Sequence, residues 1–158
     1  MVSNLPPLSG ESGTPYSDCI EKLNDLKSKN GNSYIYQTTF TSWSGYGSVT
    51  ELKIKDGKVV SRVYQEFITN ESHEREIVDS YTETKSNLGS REKGAKPLTI
   101  DDLYHLCTSE YLTVDEEDNS VTFETELDGL MTLCGFSPVG CVDDCFRGIR
   151  ISALKWLH

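Results

Sequence analysis

The dipeptide Asp56-Gly57 lies between two runs of alternating polarity, and it constrains the fold more than any other feature of the chain. Asp-Gly is a preferred two-residue hairpin turn, because both positions accept positive φ and the turn then matches the twist of the flanking strands. Residues 49–55 and 58–67 are therefore expected to be adjacent antiparallel strands. With the dipeptide at the tip, Ile54 faces Val59, Leu52 faces Ser61 and Thr50 faces Val63. These residues, with Phe67 further along, share a mainly apolar face. Glu51, Lys53, Lys55, Lys58, Val60 and Arg62 share a mainly charged one. That division is typical of an antiparallel sheet with one face covered and one in water.

The same reasoning extends along the chain. Thr14-Pro15 supplies a helix cap and a first helical residue. Cys19, Ile20, Leu23 and Leu26 follow at helical spacing, and Asn30-Gly31 ends the helix. Tyr34 to Thr41 alternates as a strand rich in aromatic and β-branched residues. Residues 77–84 suit a fourth strand, and residues 85–97 read as an exposed loop. Thr99 caps a second helix with Asp101 and Asp102 in its first turn, and Ile100, Leu103, Leu106 and Cys107 form its apolar stripe. Further strands are expected at 112–114, 121–123 and 130–136, with Asp128-Gly129 as a turn before the third, and a closing strand runs over 146–157. Residues 1–13, rich in Pro, Ser and Gly, read as a flexible arm ahead of a single domain over 14–158. The fold class expected is α+β, an antiparallel sheet with both helices packed on one face.

Charge and cysteine usage narrow the setting. Fifteen Lys and Arg against 25 Asp and Glu give a net charge of −10, a field that repels nucleic acid and anionic membrane. No apolar run approaches the ~20 residues of a membrane span. Cys134, Cys141 and Cys145 crowd a Gly- and Pro-containing loop, and Cys19 and Cys107 lie apart from it. The clustering suits disulfides formed in an oxidising compartment. Buried free thiols and a zinc site are the alternatives, although the spacings and the scattered His73, His105 and His158 fit zinc poorly. Met1 is followed by Val-Ser-Asn-Leu-Pro-Pro-Leu rather than by a basic and then apolar leader, so no signal peptide is present as written; a secreted protein without its leader and a cytosolic one both fit that, and the cysteines favour the secreted reading. Asn70-Glu71-Ser72 is a glycosylation sequon consistent with that reading.

Four blocks in this order resemble a family of small secreted or lipid-anchored domains of unknown function. They are Tyr34 through Ser48, Asp56-Gly57 through Arg62, Leu98-Thr-Ile-Asp101-Asp102-Leu103-Tyr104, and Val142-Asp143-Asp144-Cys145-Phe146 through Ser152. The resemblance covers residues 16–157 and implies a cystatin-like fold, a helix on a curled antiparallel sheet. It implies no catalytic residues, and the cysteines around Asp143-Asp144 depart from the family pattern.

Three stretches could carry chemistry. Trp43 and Tyr46, spaced by Ser44 and Gly45, place two aromatics at a hairpin tip. With Tyr34 and Tyr36 on the adjoining strand they are candidate contacts for a protein or carbohydrate partner; the alternative is that Trp43 folds back onto the sheet edge. Asp115, Glu117, Asn119 and Glu126 match positions 1, 3, 5 and 12 of a calcium loop, but Ser120 stands where that loop wants Gly. A weak calcium site shared with Asp143 and Asp144 is set against a solvated hairpin tip, and no other cofactor is implied. His105 and Cys107, two apart on a helix, point away from each other, and no established catalytic motif occurs. The leading reading is a secreted non-enzymatic binding or interaction module. The alternatives are a small hydrolase or lyase with a site on the concave sheet face, and a calcium-binding acidic protein.

Overall fold

Period-two stretches dominate the folded chain. A computed structural model describes residues 2–8, 16–42, 44–126, 129–142 and 145–157, of which 44% are strand and 19% helix. This corrects the expectation of an α+β, cystatin-like sheet with two helices on one face. The strands form two separate sheets, and both helices belong with the smaller one. The chain divides into two compact units, residues 1–7, 31–99 and 152–158 in one and residues 8–30 and 100–151 in the other.

The first unit holds a five-stranded sheet. Its strands are β1 (Tyr34–Thr41), β2 (Tyr46–Lys55), β3 (Lys58–Thr69), β4 (Arg75–Thr84) and β8 (Ala153–Trp156), in the order β4-β3-β2-β1-β8, all neighbours antiparallel. Asp56 (φ 51°) and Gly57 (φ 80°) make the expected turn. The register beyond it is not the expected one. Ile54 pairs with Val59, but Lys53 pairs with Ser61, so Val60 is an extra residue in a bulge. Leu52 consequently pairs with Arg62 and Thr50 with Tyr64. A one-residue slip exchanges the faces of every residue that follows. Val63 and Phe67 thus leave the Leu52 face, and Arg62 and Tyr64 enter it. Phe67 is still buried on the opposite face, where Arg75 lies over its ring at 4.2 Å.

Tyr34, Tyr36, Leu52, Ile54, Arg62, Tyr64 and Glu83 fill the Leu52 face and are each at most 3% exposed. Within this unit the loop 85–97, expected in solvent, covers the Arg62 end of that face. The Ala95 amide donates to Thr50 Oγ1 (3.0 Å), and Gly94, at φ 89°, comes so close that a Cβ there would lie 3.0 Å from Thr50, Tyr64 and Tyr81. On the other face the Gln37 amide donates to Glu51 (2.8 Å) and to the Ser3 carbonyl (2.7 Å), while the Ser3 amide donates back to Glu51. Ser3 of the expected flexible arm is thereby tied to the sheet, as is Pro7 by a bridge to Ala153.

The second unit contains α1 (Tyr16–Asn30), α2 (Ile100–Leu106), a π-helical turn over Cys107–Tyr111, and a three-stranded sheet. That sheet is β5 (Asn119–Thr125), β6 (Met131–Pro138) and β7 (Arg147–Arg150), with β6 central. Cys19 and Leu23 are the buried residues of α1, whereas Ile20 is 46% exposed. Of the expected apolar stripe, Cys19 and Leu23 are thus buried and Ile20 is not, and α1 groups with β5–β7. Tyr16 donates to the Tyr104 carbonyl (2.8 Å), and Tyr104 Oη accepts the Met131 amide (2.8 Å). The expected closing strand over 146–157 is split. Ile151 donates to Thr132 in one unit and Ser152 to Gln37 in the other, so the chain changes sheets between them. The expected strand at 112–114 is absent. The Thr14-Pro15 cap and Asp128 lie outside the described residues.

Cys107 is bonded to Cys134 (2.06 Å) across 27 residues, and Cys141 to Cys145; Cys19 is free and buried. Both ends of the Cys107–Cys134 bridge are fully buried, so it staples the helical segment to the central strand of a small core. Among the described residues no helix is long and apolar enough to cross a membrane.

Two measurements check this architecture. Leu52→Ala should destabilise by ~2–5 kcal/mol in urea unfolding, since the residue is wholly enclosed; a loss under ~1 kcal/mol would place it elsewhere. Thiol titration of the denatured, unreduced chain should find one reactive sulfur, Cys19, and five would exclude both bridges.

Candidate functional site

The slip at Val60 places a guanidinium inside the first unit, and a buried charge persists only if paired and hydrogen-bonded. Glu83 stands opposite Arg62 in the β3–β4 ladder. Arg62 Nε donates to Glu83 Oε1 at 2.8 Å, and the two side chains are 2% and 0% exposed. The remaining guanidinium nitrogens donate to the carbonyls of Ala95 (2.9 Å) and Arg91 (2.8 Å). Glu83 also accepts from the Gly89 amide (2.9 Å), Ser90 Oγ (2.9 Å) and the Arg91 amide (2.8 Å). The pair thus binds loop 85–97 by its backbone from both sides. Burial alone would raise the Glu83 pKa, but the bonds from Arg62, Gly89, Ser90 and Arg91 outweigh it and hold the carboxyl at about 2.

Next along the same face, toward the Tyr46 end, lies an open charged network. Lys93 from the loop reaches Glu66 (3.0 Å) and Asp79 (3.1 Å), and Tyr64 donates to Glu66 (3.0 Å). The Tyr46 hydroxyl lies against the same Glu66 carboxylate. The Lys93 ammonium, then the Tyr46 hydroxyl, hold Glu66 below the usual carboxylate range; Lys93 and the Ser80 amide do the same for Asp79. Glu66 and Asp79 in turn hold Lys93 above its ordinary value. Burial pushes the Tyr64 and Tyr81 phenols up. Tyr81 stacks on Tyr64 (5.2 Å, 25°), has the Arg62 and Arg91 guanidinium groups over its ring at 5.2 and 5.1 Å, and donates its hydroxyl to the Lys93 carbonyl. Asp79, Ser80, Tyr81, Ser90, Arg91, Glu92 and Lys93 line an open groove of about 520 Å³.

The sequence candidates divide around this surface. Tyr46 is not at a loop tip. It belongs to β2, paired with Ile68, and is 37% exposed with its ring edge-on to Phe40, itself 45% exposed. The turn before it is held by the Ser42 amide on the Tyr46 carbonyl (2.8 Å); Trp43 lies outside the described residues. Tyr34 and Tyr36, proposed as ligand contacts, are each 1% exposed and are core residues, the first against Trp156 (5.4 Å) and the second donating to the Leu98 carbonyl (2.6 Å). Their aromatic alternation marked the strand correctly but pointed at the covered face.

Asp115 uses its carboxylate to accept the Glu117 amide (2.9 Å), and Asn119 donates to the Asp115 carbonyl, an Asx turn at an exposed bend. Glu117 is exposed, and Asp143 and Asp144 lie outside the described residues. Among the described residues no three His, Cys, Asp or Glu side chains are grouped to hold a metal ion. Cys107, being bridged, offers no thiolate. Sequence reasoning missed Arg62, Tyr81, Glu83 and Lys93. The alternating pattern assigned Arg62 to solvent, and nothing local to a polar loop marks which of its residues turn back onto a sheet.

No protein family, curated protein or solved structure matches this chain. The functional reading therefore rests on the surface just described.

Removing either partner of the buried pair strands the other charge. Arg62→Met and Glu83→Gln should each destabilise by ~3–5 kcal/mol in denaturant unfolding. Because the folded pKa of Glu83 is depressed, its stabilisation is complete above about 4.5 and is lost as pH falls toward about 2. Unfolding free energies should fall over that window in the wild type and less in Glu83→Gln; equal slopes would remove Glu83 from the acid transition.

Proposed function

We propose that the protein is a secreted, non-enzymatic binding module whose contact surface is the Phe40–Tyr46 end of the first sheet and the adjoining Asp79–Lys93 groove. The observation that carries the reading is a pair of large aromatic rings left 45% and 37% exposed on a strand face that runs into a ready-made network of charges and hydroxyls. Exposed aromatics supply contact area at low side-chain entropy, and fixed polar groups beside them supply orientation. Saccharides and polar protein segments both fit that chemistry.

The electrostatics favour binding over the hydrolase or lyase alternative. A general acid or base works best with a pKa near neutrality. Here the neighbours drive Glu66 and Asp79 down and Lys93 up, which stabilises fixed charges rather than a transferable proton. The two disulfides are compatible with an extracellular setting.

Screening the wild type on an array of neutral and acidic oligosaccharides and of polar peptides should give ligands that the Phe40→Ala, Tyr46→Ala double variant binds at least ~10-fold more weakly, on the scale of an aromatic anchor. Thermal unfolding of the variant should stay close to that of the wild type. Undiminished binding by the folded variant would move the contact surface elsewhere.

A further inference from the structure

The hairpin joining β3 to β4 carries a motif that the binding surface does not use. Asn70-Glu71-Ser72 is the only Asn-x-Ser/Thr sequence in the chain, and its middle residue is not Pro. The structure places it at the β3–β4 turn, with residues 71–74 all exposed. Asn70 Oδ1 accepts the amides of Ser72 (2.9 Å) and Glu74 (3.0 Å), and the Asn70 amide donates to the Glu74 carbonyl (2.9 Å). The carboxamide oxygen is thus occupied by backbone donors, whereas its nitrogen meets only the exposed Glu76 carboxylate at 3.4 Å. An attachment at that nitrogen displaces no buried contact of the turn.

A second observation concerns the strand that follows. β4 is an edge of the five-stranded sheet, ten residues long with neither Pro nor Lys, and it carries Ile77 and Val78 at 53% and 51% exposure. An open edge with exposed β-branched residues invites pairing with another chain unless something blocks its approach. Ile77 pairs with Phe67, which lies on the face opposite Tyr46 and Glu66. Glu76, which meets the Asn70 carboxamide, pairs with Ile68 and so shares the face of Tyr46, and bulk attached at Asn70 therefore stands beside both this edge and the proposed contact surface.

We propose that Asn70 is an N-glycosylation acceptor whose glycan stands beside the β4 edge. The donor class is an oligosaccharide linked through pyrophosphate to a lipid. Asn70 Nδ2 forms a bond to the anomeric carbon, the bond from that carbon to the pyrophosphate oxygen breaks, and the lipid pyrophosphate leaves with the electron pair. One amide proton passes to a base of the transferring enzyme. The inference rests on the secreted reading above, since the transfer occurs in the compartment where disulfides form.

The test is expression of the full chain behind a cleavable leader in a eukaryotic secretory cell, followed by intact mass and peptide mapping of the secreted product. The Asn70 peptide is expected to carry a hexosamine-based oligosaccharide that amidase treatment removes, leaving aspartate. Asn70→Gln and Ser72→Ala should each appear at the bare polypeptide mass, and Ser72→Thr should retain the glycan. Ser72→Ala keeps Asn70 and the backbone amide that closes the turn, so its result is independent of any folding defect in Asn70→Gln. A secreted wild type at bare polypeptide mass, with a single free thiol showing that the bridges formed, would overturn the acceptor site while leaving the secreted reading intact.

Discussion

One buried ion pair organises the first unit. Arg62 and Glu83 lie opposite each other on neighbouring strands with essentially no exposure, and between them they make six hydrogen bonds, one to each other and five to loop 85–97. Burying two charges is expensive, and attraction between them seldom recovers the desolvation unless the remaining donors and acceptors are also satisfied. Here the loop satisfies them with three main-chain groups that accept or donate at Arg91 and Ala95, the Gly89 amide and the Ser90 hydroxyl. The loop holds its course because the pair needs it, and the pair is tolerable inside because the loop is there.

The rest of the site follows from that arrangement. With the loop fixed, Lys93 comes down between Glu66 and Asp79, and its carbonyl receives the Tyr81 hydroxyl. Glu66, Asp79 and Lys93 are each biased toward the charged form by their neighbours. Such a surface presents a stable pattern of charge beside Phe40 and Tyr46, and a stable pattern serves recognition better than proton transfer.

The second unit uses a different device. Its three short strands enclose a small core, and small cores need covalent or polar staples. Cys107–Cys134 joins the end of the helical segment to the central strand, and Tyr104 links them again through the Met131 amide. Burial pushes the Tyr104 phenol and the Cys19 thiol up in pKa, so both remain protonated and act as packed, hydrogen-bonding or apolar groups. The π-helical turn at Cys107–Tyr111, closed by the Leu112 amide on the Cys107 carbonyl, lies just where the helix must deliver its cysteine to β6.

Local chemistry was legible in the chain. Alternation marked β1 to β4, Asp56-Gly57 marked their central turn, helical spacing marked α1 and α2, and clustering of cysteines in a loop pointed to disulfides without giving their pairing. All of these depend on neighbours a few residues apart, as do turn conformation and amphipathic period. What the sequence did not disclose depends on partners distant along the chain. The bulge at Val60 is decided by whether Arg62 gains more from Glu83, 21 residues on, and from loop carbonyls near 91 and 95 than from water. That single slip exchanged Val63 for Tyr64, and turned an expected solvent charge into the centre of the unit. Likewise the grouping of both helices with the smaller sheet, and the passage of the chain between sheets at Ile151–Ser152, reflect competition among apolar faces that local pattern cannot rank. Local pattern alone marked β1 to β4 and the two α-helices, but not the loss of a strand at 112–114 or the division of 146–157 between two sheets. Tertiary structure decided which face of each strand is inside, because that choice is made by long-range pairing of charge and backbone and not by periodicity.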